Sequence, residues 1–447
     1  MNTQIVEVLF GTFLVLLLIG SPITVSLGVA AMAAFMYLGD DPIKLVQIAF
    51  RSVGSFPLMA LPAFILAGAL MEAAGISRRL VKIAESFAGP ITGGLGAATV
   101  LACVFFGAIS GSGPATTAAV GMLMIPAMVK RGYDRGYASA VTASSGGLGV
   151  IVPPSIPMVI FGISGMGMSP PAEAVAKYGA FQSLSIPKLF IAGVLPALLI
   201  ASGLLLANYF RSKKRGYTGI SANWSLTEMI QALKSGFWSV LAPLIILGGI
   251  YTGFFTPTES AIVAIFYTLF VGVFLHKELK LKDLYHSLET TTWITGRVLL
   301  ILFTATVFGR LLVENQIPAI VAQALLDFTS NLYLIWALII AFLLFVGMFM
   351  ETLATIMILT PVLLPIMYNV GVDPVHFGVV MVATLAIGFQ TPPLGENLFV
   401  ASGIGGATIE DISIQAIPFA VLGTIAIFII AYVPQISLFL PSLLGYK

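Results

Sequence analysis

The chain has 447 residues, 58% hydrophobic and 9% charged, with a mean hydropathy of +1.04. That composition excludes a soluble globular protein; at roughly 20 apolar residues per span, the length holds about ten to twelve spanning or re-entrant elements of a lipid bilayer protein. The formal charge is only +2 and no basic face recurs along the chain, so nucleic acid is excluded as a partner.

In chain order, apolar runs predict spans at 5–20, 22–38 and 57–75, with an amphipathic stretch at 41–53. A hairpin of short helices follows at 93–109 and 115–129, then a broken span at 136–150 and 154–166. A polar connection, Met166 to Pro187, leads to a span at 188–209. The second half repeats this order. An amphipathic stretch at 225–237 precedes spans at 239–254 and 259–275, and a surface helix near 281–290 precedes a span at 292–313. A hairpin recurs at 332–350 and 353–367, a broken span at 375–389 and 393–404, and a last span covers 412–439. No Lys or Arg precedes the first apolar stretch, only Glu7, which predicts an uncleaved first helix with its N-terminus outside.

A shift of 239 positions lays Gly107–Gly167 on Val346–Gly406 without gaps. Pro126 then falls on Pro365, Gly132 on Gly371, Asp134 on Asp373, Gly149 on Gly388, and Pro153-Pro154 on Pro392-Pro393. The matches are mostly turn and helix-breaking residues, which fix where a chain bends. Charge differs between the copies: Lys130, Arg131 and Arg135 in the first turn face Asn369, Val370 and Pro374 in the second. By the positive-inside rule the two turns belong on opposite sides, so the copies are inverted, a signature of secondary transporters. The expected fold is an all-α polytopic membrane protein of two inverted-topology repeats, 1–215 and 216–447. Each repeat carries scaffold helices, a re-entrant helical hairpin, a broken transmembrane helix and a closing helix. With re-entrant hairpins, the basic clusters at 78–82, 130–135, 211–215 and 277–282 all share one side, and both termini lie outside.

The tip Ser110-Gly111-Ser112-Gly113-Pro114 interrupts an apolar run, and bare backbone at membrane depth is tolerated where it lines a cavity or is buried in protein. A simple kink is the alternative. The second copy also places polar residues there, with Glu351 opposite Ser112. A helical proline removes the hydrogen bond to the carbonyl four residues earlier. The double prolines therefore free the carbonyls of Gly149, Val150, Gly388 and Phe389, for which Na⁺ is a suitable partner, a packing kink being the bland alternative. Ser144, Ser145 and Ser155, and Thr384 and Thr391, are hydroxyls suited to such an ion.

Glu72, Glu259, Glu314, Glu351 and Glu396 sit in or beside apolar runs. Glu72, Glu259 and Glu314 read as structural, Glu259 as a helix cap after Thr256. Glu351 and Glu396, beside the second tip and break, lean to a site. Arg297 and Arg310 are the only basic residues inside a span; Arg310 pairs with Glu314 at helical spacing, and neither points clearly at an anion. His276, His286 and His376 are too dispersed for a zinc site, Cys103 reads as a packing residue, and HExxH, GxSxG and Walker patterns do not occur.

At Ser110–Thr116, Gly149–Pro154, Thr256–Glu259, Met350–Thr352 and Thr391–Asn397 the chain resembles the large membrane subunit of TRAP transporters (tripartite ATP-independent periplasmic transporters, the DctM-like group), and the resemblance covers nearly the whole chain. The resemblance implies a non-enzyme that imports organic anions (C4-dicarboxylates, sialic or other sugar acids, sulfonates) with Na⁺ across a bacterial inner membrane by an elevator motion. It implies two partners, a small four-helix membrane subunit and a periplasmic substrate-binding protein, and two or more transported Na⁺ ions. Carried onto this sequence, a first Na⁺ site combines Ser110, Ser112 and Gly113 with Ser145, Gly149 and Val152. A second combines Met350, Glu351 and Thr352 with Gly388 and Thr391. Substrate lies between the tips, with Ser112, Thr116, Ser155, Thr355, Pro154, Pro393 and Asn397 as contacts. The connection Met166–Pro187 is longer and more polar than usual, and lies outside where a binding protein docks.

The nearest rival is a stand-alone divalent-anion/Na⁺ symporter. Such proteins resemble one another in a Ser-Asn-Thr at each tip, which does not occur here. An intramembrane hydrolase or a channel lacks support from any paired catalytic constellation at membrane depth.

Overall fold

The computed structural model describes residues 2–446 except Asp40, Ser55, Ala222, Pro393 and Leu394. Among the described residues every regular element is helical. α1 (Asn2–Leu18) and α2 (Ile23–Leu38) pack as an antiparallel pair, and α3 (Pro42–Val53) is capped by the Asp41 side chain. α4 (Ala60–Ala73) bends by 71° at Gly75 into α5 (Ile76–Ala88). No helix is expected there from the apolar runs, since the segment carries the basic cluster Arg78, Arg79 and Lys82. α5 is amphipathic instead: Ile76, Leu80, Val81 and Ile83 are buried while the basic side chains take the opposite face.

The first hairpin is α6 (Gly94–Ser110) and α7 (Gly113–Lys130), and the broken span is α8 (Arg135–Gly146), α9 (Leu148–Ile151) and α10 (Ile156–Gly165). The polar connection contains a short α11 (Ala172–Tyr178) before the 30-residue α12 (Ile186–Arg215). In the second half α13 (Leu226–Ser235) bends by 65° into α14 (Phe237–Tyr251). α15 (Pro257–Phe270) opens on a capping box in which Thr256 and Glu259 satisfy each other's backbone amides, as the sequence predicts for Glu259.

The expected surface helix and span at 281–313 are one continuous helix, α16 (Leu281–Glu314), because no Pro interrupts the polar-to-apolar transition near Thr292 and a single glycine, Gly296, does not stop a helix. α17 (Ile317–Phe328) fills the segment expected to be a loop. α18 (Leu332–Gly347) and α19 (Thr352–Asn369) form the second hairpin, and α20 (Pro374–Gly388) and α21 (Glu396–Gly405) the second broken span. The last predicted span divides into α22 (Ile409–Tyr432) and α23 (Gln435–Leu443) beside Pro434.

The sequence repeat has a conformational counterpart. The 239-residue shift maps both ends of α7 (Gly113 and Lys130) onto both ends of α19 (Thr352 and Asn369). Gly132 and Gly371 both take a positive φ, 84° and 78°, which a side chain would strain. The next helix in each copy is capped by the matched aspartate: Asp134 accepts from the Tyr137 amide, Asp373 from those of Val375 and His376. The copies differ at the tips, where residues 111–112 turn the first and the longer 348–351 turns the second.

Two groups of helices result. α2, α3 and α4 gather around α16 and α15 packs on α4, while α6 to α10 pack with α18 to α22. α21 lies against α7 and α8, so the broken span of one copy closes on the hairpin of the other. The segments that carry the basic clusters are tied together in pairs. Arg78 and Arg79 pair with Glu278 at 2.7 and 2.9 Å, and Arg215 pairs with Asp134 at 3.5 Å. The Ile220 amide donates to Gly89 at 2.7 Å, linking the two groups of clusters.

Candidate functional site

The first tip and first break meet closely. Ser110 ends α6, Gly111 turns with φ 60°, and Ser112 precedes α7 in extended conformation. The Thr116 hydroxyl donates to the Ser112 carbonyl at 2.7 Å and lies 2.7 Å from the Ser110 hydroxyl. A Cβ on Gly149 would stand 2.2 Å from the Thr116 hydroxyl and 2.6 Å from the Ser112 carbonyl, so this oxygen cluster rests on bare backbone. The Ile156 amide donates to Gly111 at 3.3 Å, joining α10 to the tip. Ser145 is fully buried, with its hydroxyl donated to Val141 at 2.6 Å, and the Val152 amide donates to Leu148 at 2.8 Å. Of the first expected cation set, Ser110, Ser112, Gly113 and Gly149 are thus drawn together, while the Ser145 hydroxyl and the Val152 amide bond within their own helical segments.

At the second tip, Glu351 precedes α19 without capping it, and the Thr355 hydroxyl donates to the Glu351 carbonyl at 2.9 Å. Thr352 is 2% exposed, and neither its hydroxyl nor Oε2 of Glu351 has a hydrogen-bond partner. Buried oxygens without donors fit a hard cation such as Na⁺, which takes oxygen ligands. Gly388 packs on the end of α18, where a Cβ would come 2.9 Å from Gly347 backbone, and the Thr391 hydroxyl donates to Ile387 at 2.7 Å. Met350 lies in the turn just before Glu351, half-buried.

The proline-freed carbonyls are largely re-bonded. Val150 accepts the Ser155 hydroxyl at 2.5 Å, Gly388 the Thr391 amide at 2.9 Å, and Phe389 the Asn397 amide at 3.2 Å. Among the described residues no donor reaches the Gly149 carbonyl. Each re-bonded carbonyl keeps a second lone pair, so a cation ligand role and a hydrogen bond coexist.

Both tips border one half-open cavity of about 330 Å³, between the hairpins and helices α4 and α16. Ser112, Gly113, Glu351 and Thr352 line it, with Glu72, Glu396 and Arg297. Of the expected substrate contacts only Ser112 does so. Thr116, Ser155, Thr355 and Asn397 are buried behind the wall, the carbonyl of Pro154 packs against Gly111, and Pro393 lies outside the described residues. Asn397 couples the two copies: its amide donates to Ala143 at 3.2 Å, and its unpartnered Oδ1 faces Gly113.

Arg297 is the basic residue that stands beside both tips, a placement not readable from the sequence. It borders the cavity, its charge acts on both Glu351 and Glu396, and among the described residues it has no ion-pair partner. Arg310 does pair with Glu314, at 2.7 Å, as helical spacing predicts. A wider crevice of about 1270 Å³ opens between α16, α17, α19 and the segment around α11, but no tip residue lines it. The half-open cavity is therefore the candidate site.

A family model described as Tripartite ATP-independent periplasmic transporter, DctM component, matches residues 10–436. The chain is 45% identical over 433 residues to the isethionate TRAP transporter permease protein DctMQ of Oleidesulfovibrio alaskensis, spanning 97% of this chain and 66% of that relative's length. It is 35% identical over 442 residues to the C4-dicarboxylate TRAP transporter large permease protein DctM of Rhodobacter capsulatus, covering 98% and 99% of the two chains. It is 37% identical over 440 residues to the sialic acid TRAP transporter large permease protein SiaM of Vibrio cholerae, covering 98% and 99%. Among solved structures, the YdaH transporter of Alcanivorax borkumensis superposes with a TM-score of 0.61 at 14% identity, covering 89% and 88%, a likeness of fold.

Proposed function

Because the chain belongs to the tripartite ATP-independent periplasmic transporter family, as a DctM component, we propose that it is the large subunit of a Na⁺-coupled importer of small organic anions working by an elevator motion. The chain is a transporter permease subunit and not an enzyme. The observation that carries the finer reading is a cavity that receives both hairpin tips, with buried oxygens of Glu351 and Thr352 beside it that have no partner among the described residues. Inverted repeats deliver two tips from opposite faces to one midplane site. One cation rests on Ser110, Ser112, Thr116 and Gly149, and the other on Met350, Glu351, Thr352 and Gly388.

Relatives named for isethionate, C4-dicarboxylates and sialic acid support an organic acid as the cargo. The chain spans 66% and 67% of the length of two relatives, and the family name supports a small membrane subunit and a periplasmic binding protein as partners. The setting is a bacterial inner membrane with both termini outside.

The deciding experiment is thermal unfolding of the full chain in detergent, titrated with NaCl, KCl or choline chloride at constant ionic strength. A ligand specific to the folded state stabilises by about 2.7 kcal/mol at 100 times its Kd. Saturable stabilisation by NaCl alone is expected; equal curves for all three salts would sink the Na⁺ assignment. Uptake by this chain in vesicles with no binding protein would instead favour a stand-alone symporter.

A further inference from the structure

We infer that the half-open cavity takes a small anion with a single charged head, seated on Arg297, and discriminates against dianions. The inference rests on the transport reading above and deepens it to a substrate class.

The charged lining of the cavity is lopsided. Arg297 is its one cationic residue, and Glu72, Glu351 and Glu396 are its carboxylates. Arg297 has no ion-pair partner among the described residues, so its guanidinium is available. A guanidinium presents a planar fork that matches one carboxylate or sulfonate group. A second anionic group on the same ligand would find no second fork. Around it stand the three carboxylates, or apolar side chains such as Ile65, Phe106 and Leu353. Placing an unpaired charge in such surroundings is strongly unfavourable.

Cations at the two tips do not reverse this argument. Two Na⁺ ions and Arg297 together balance the three carboxylates, so the lining is then neutral, and a negative charge that a ligand brings is met by the Arg297 fork and not by surplus cation charge. The hydroxyls of Ser112, Thr290 and Thr352 on the wall suit a neutral polar tail. Size agrees: about 330 Å³ stands at the low end of the roughly 300–1,000 Å³ common for ligand pockets. Short hydroxyalkyl sulfonates and short hydroxy-monocarboxylates have this chemistry.

The test uses the full chain in detergent with NaCl fixed and ionic strength constant. Thermal unfolding is titrated with 2-hydroxyethanesulfonate, glycolate and succinate. The two monoanions are expected to raise the unfolding temperature saturably, with succinate at least tenfold weaker in half-saturation. Arg297→Gln is expected to abolish the monoanion response, and Arg297→Lys to keep a weakened one. The lysine variant carries the comparison if the glutamine variant fails to fold. Succinate acting at equal or lower concentration overturns the inference, as does an Arg297→Gln protein that responds like the parent. So does Na⁺ stabilisation with no response to any of the three anions. Absence of the Na⁺ response itself would instead remove the cation-coupled reading, and the inference with it.

Discussion

Thr116 shows how much one hydroxyl can hold at the first tip. It bridges Ser110 and the Ser112 carbonyl at 2.7 Å each, and Gly149 has no side chain because this hydroxyl fills the space. Thr116→Val keeps the shape and removes both bonds in a buried place, which costs about 1–3 kcal/mol where polar partners are stranded. If the oxygens also hold a cation, the variant raises the half-saturating Na⁺ concentration as well as lowering the unfolding temperature without Na⁺; a purely structural hydroxyl would do only the second. Ser112→Ala combined with Thr352→Ala removes one hydroxyl from each tip. Na⁺-dependent stabilisation is expected to weaken at least tenfold, and a parent-like Na⁺ titration would place the ions elsewhere. The tips were legible in the sequence because Gly, Pro and polar residues break an apolar run for reasons local to the backbone. Arg297 was not. Its place depends on which carboxylates face it from α19 and α21, more than fifty positions away, and nothing local to α16 encodes that.

At the scale of elements, each hairpin meets its broken span through glycine. A Cβ on Gly107 would lie 3.0 Å from the Gly149 Cα, and one on Gly388 would lie 2.9 Å from the backbone of Gly347. Backbone cannot yield as a flexible side chain does, so Gly107→Ala must separate α6 from α9. Overpacking of this kind costs about 1–3 kcal/mol. Because the tip oxygens hang from α6, the same variant should weaken Na⁺ binding; an unaltered Na⁺ titration would uncouple this contact from the site. Gly248→Ala, inside α14 with open space where its Cβ would stand, is the contrasting case. There the gain in helix propensity predicts stabilisation of about 0.5–1 kcal/mol. Helix existence was readable from apolar runs and breakers, whereas α5 was missed because its basic face hid an apolar stripe. The unbroken α16 is hidden for the opposite reason, since a change of polarity without Pro does not stop a helix, and the lone Gly296 does not either.

For the whole molecule, the open question is which way each turn faces, and charge supplies the argument. The two turns match in conformation, with positive φ at Gly132 and Gly371 and an aspartate cap after each. They differ in Lys130, Arg131 and Arg135 against Asn369, Val370 and Pro374. The first turn is tied through Asp134 to Arg215 of a second basic cluster. Insertion holds such charge on the cytoplasmic side, which predicts the second turn, free of it, on the other. Cys103 is the one cysteine of the chain and is fully buried, which leaves a quiet background for labelling. Arg131→Cys and Asn369→Cys, each alone in intact cells, are predicted to differ. A membrane-impermeant maleimide should modify Cys at 369 and spare Cys at 131 until the membrane is opened. Labelling of both from outside, or of neither, would mean the two copies share one orientation. In that case the tips could not approach a common cavity from opposite faces, and the elevator mechanism would lose its geometric basis.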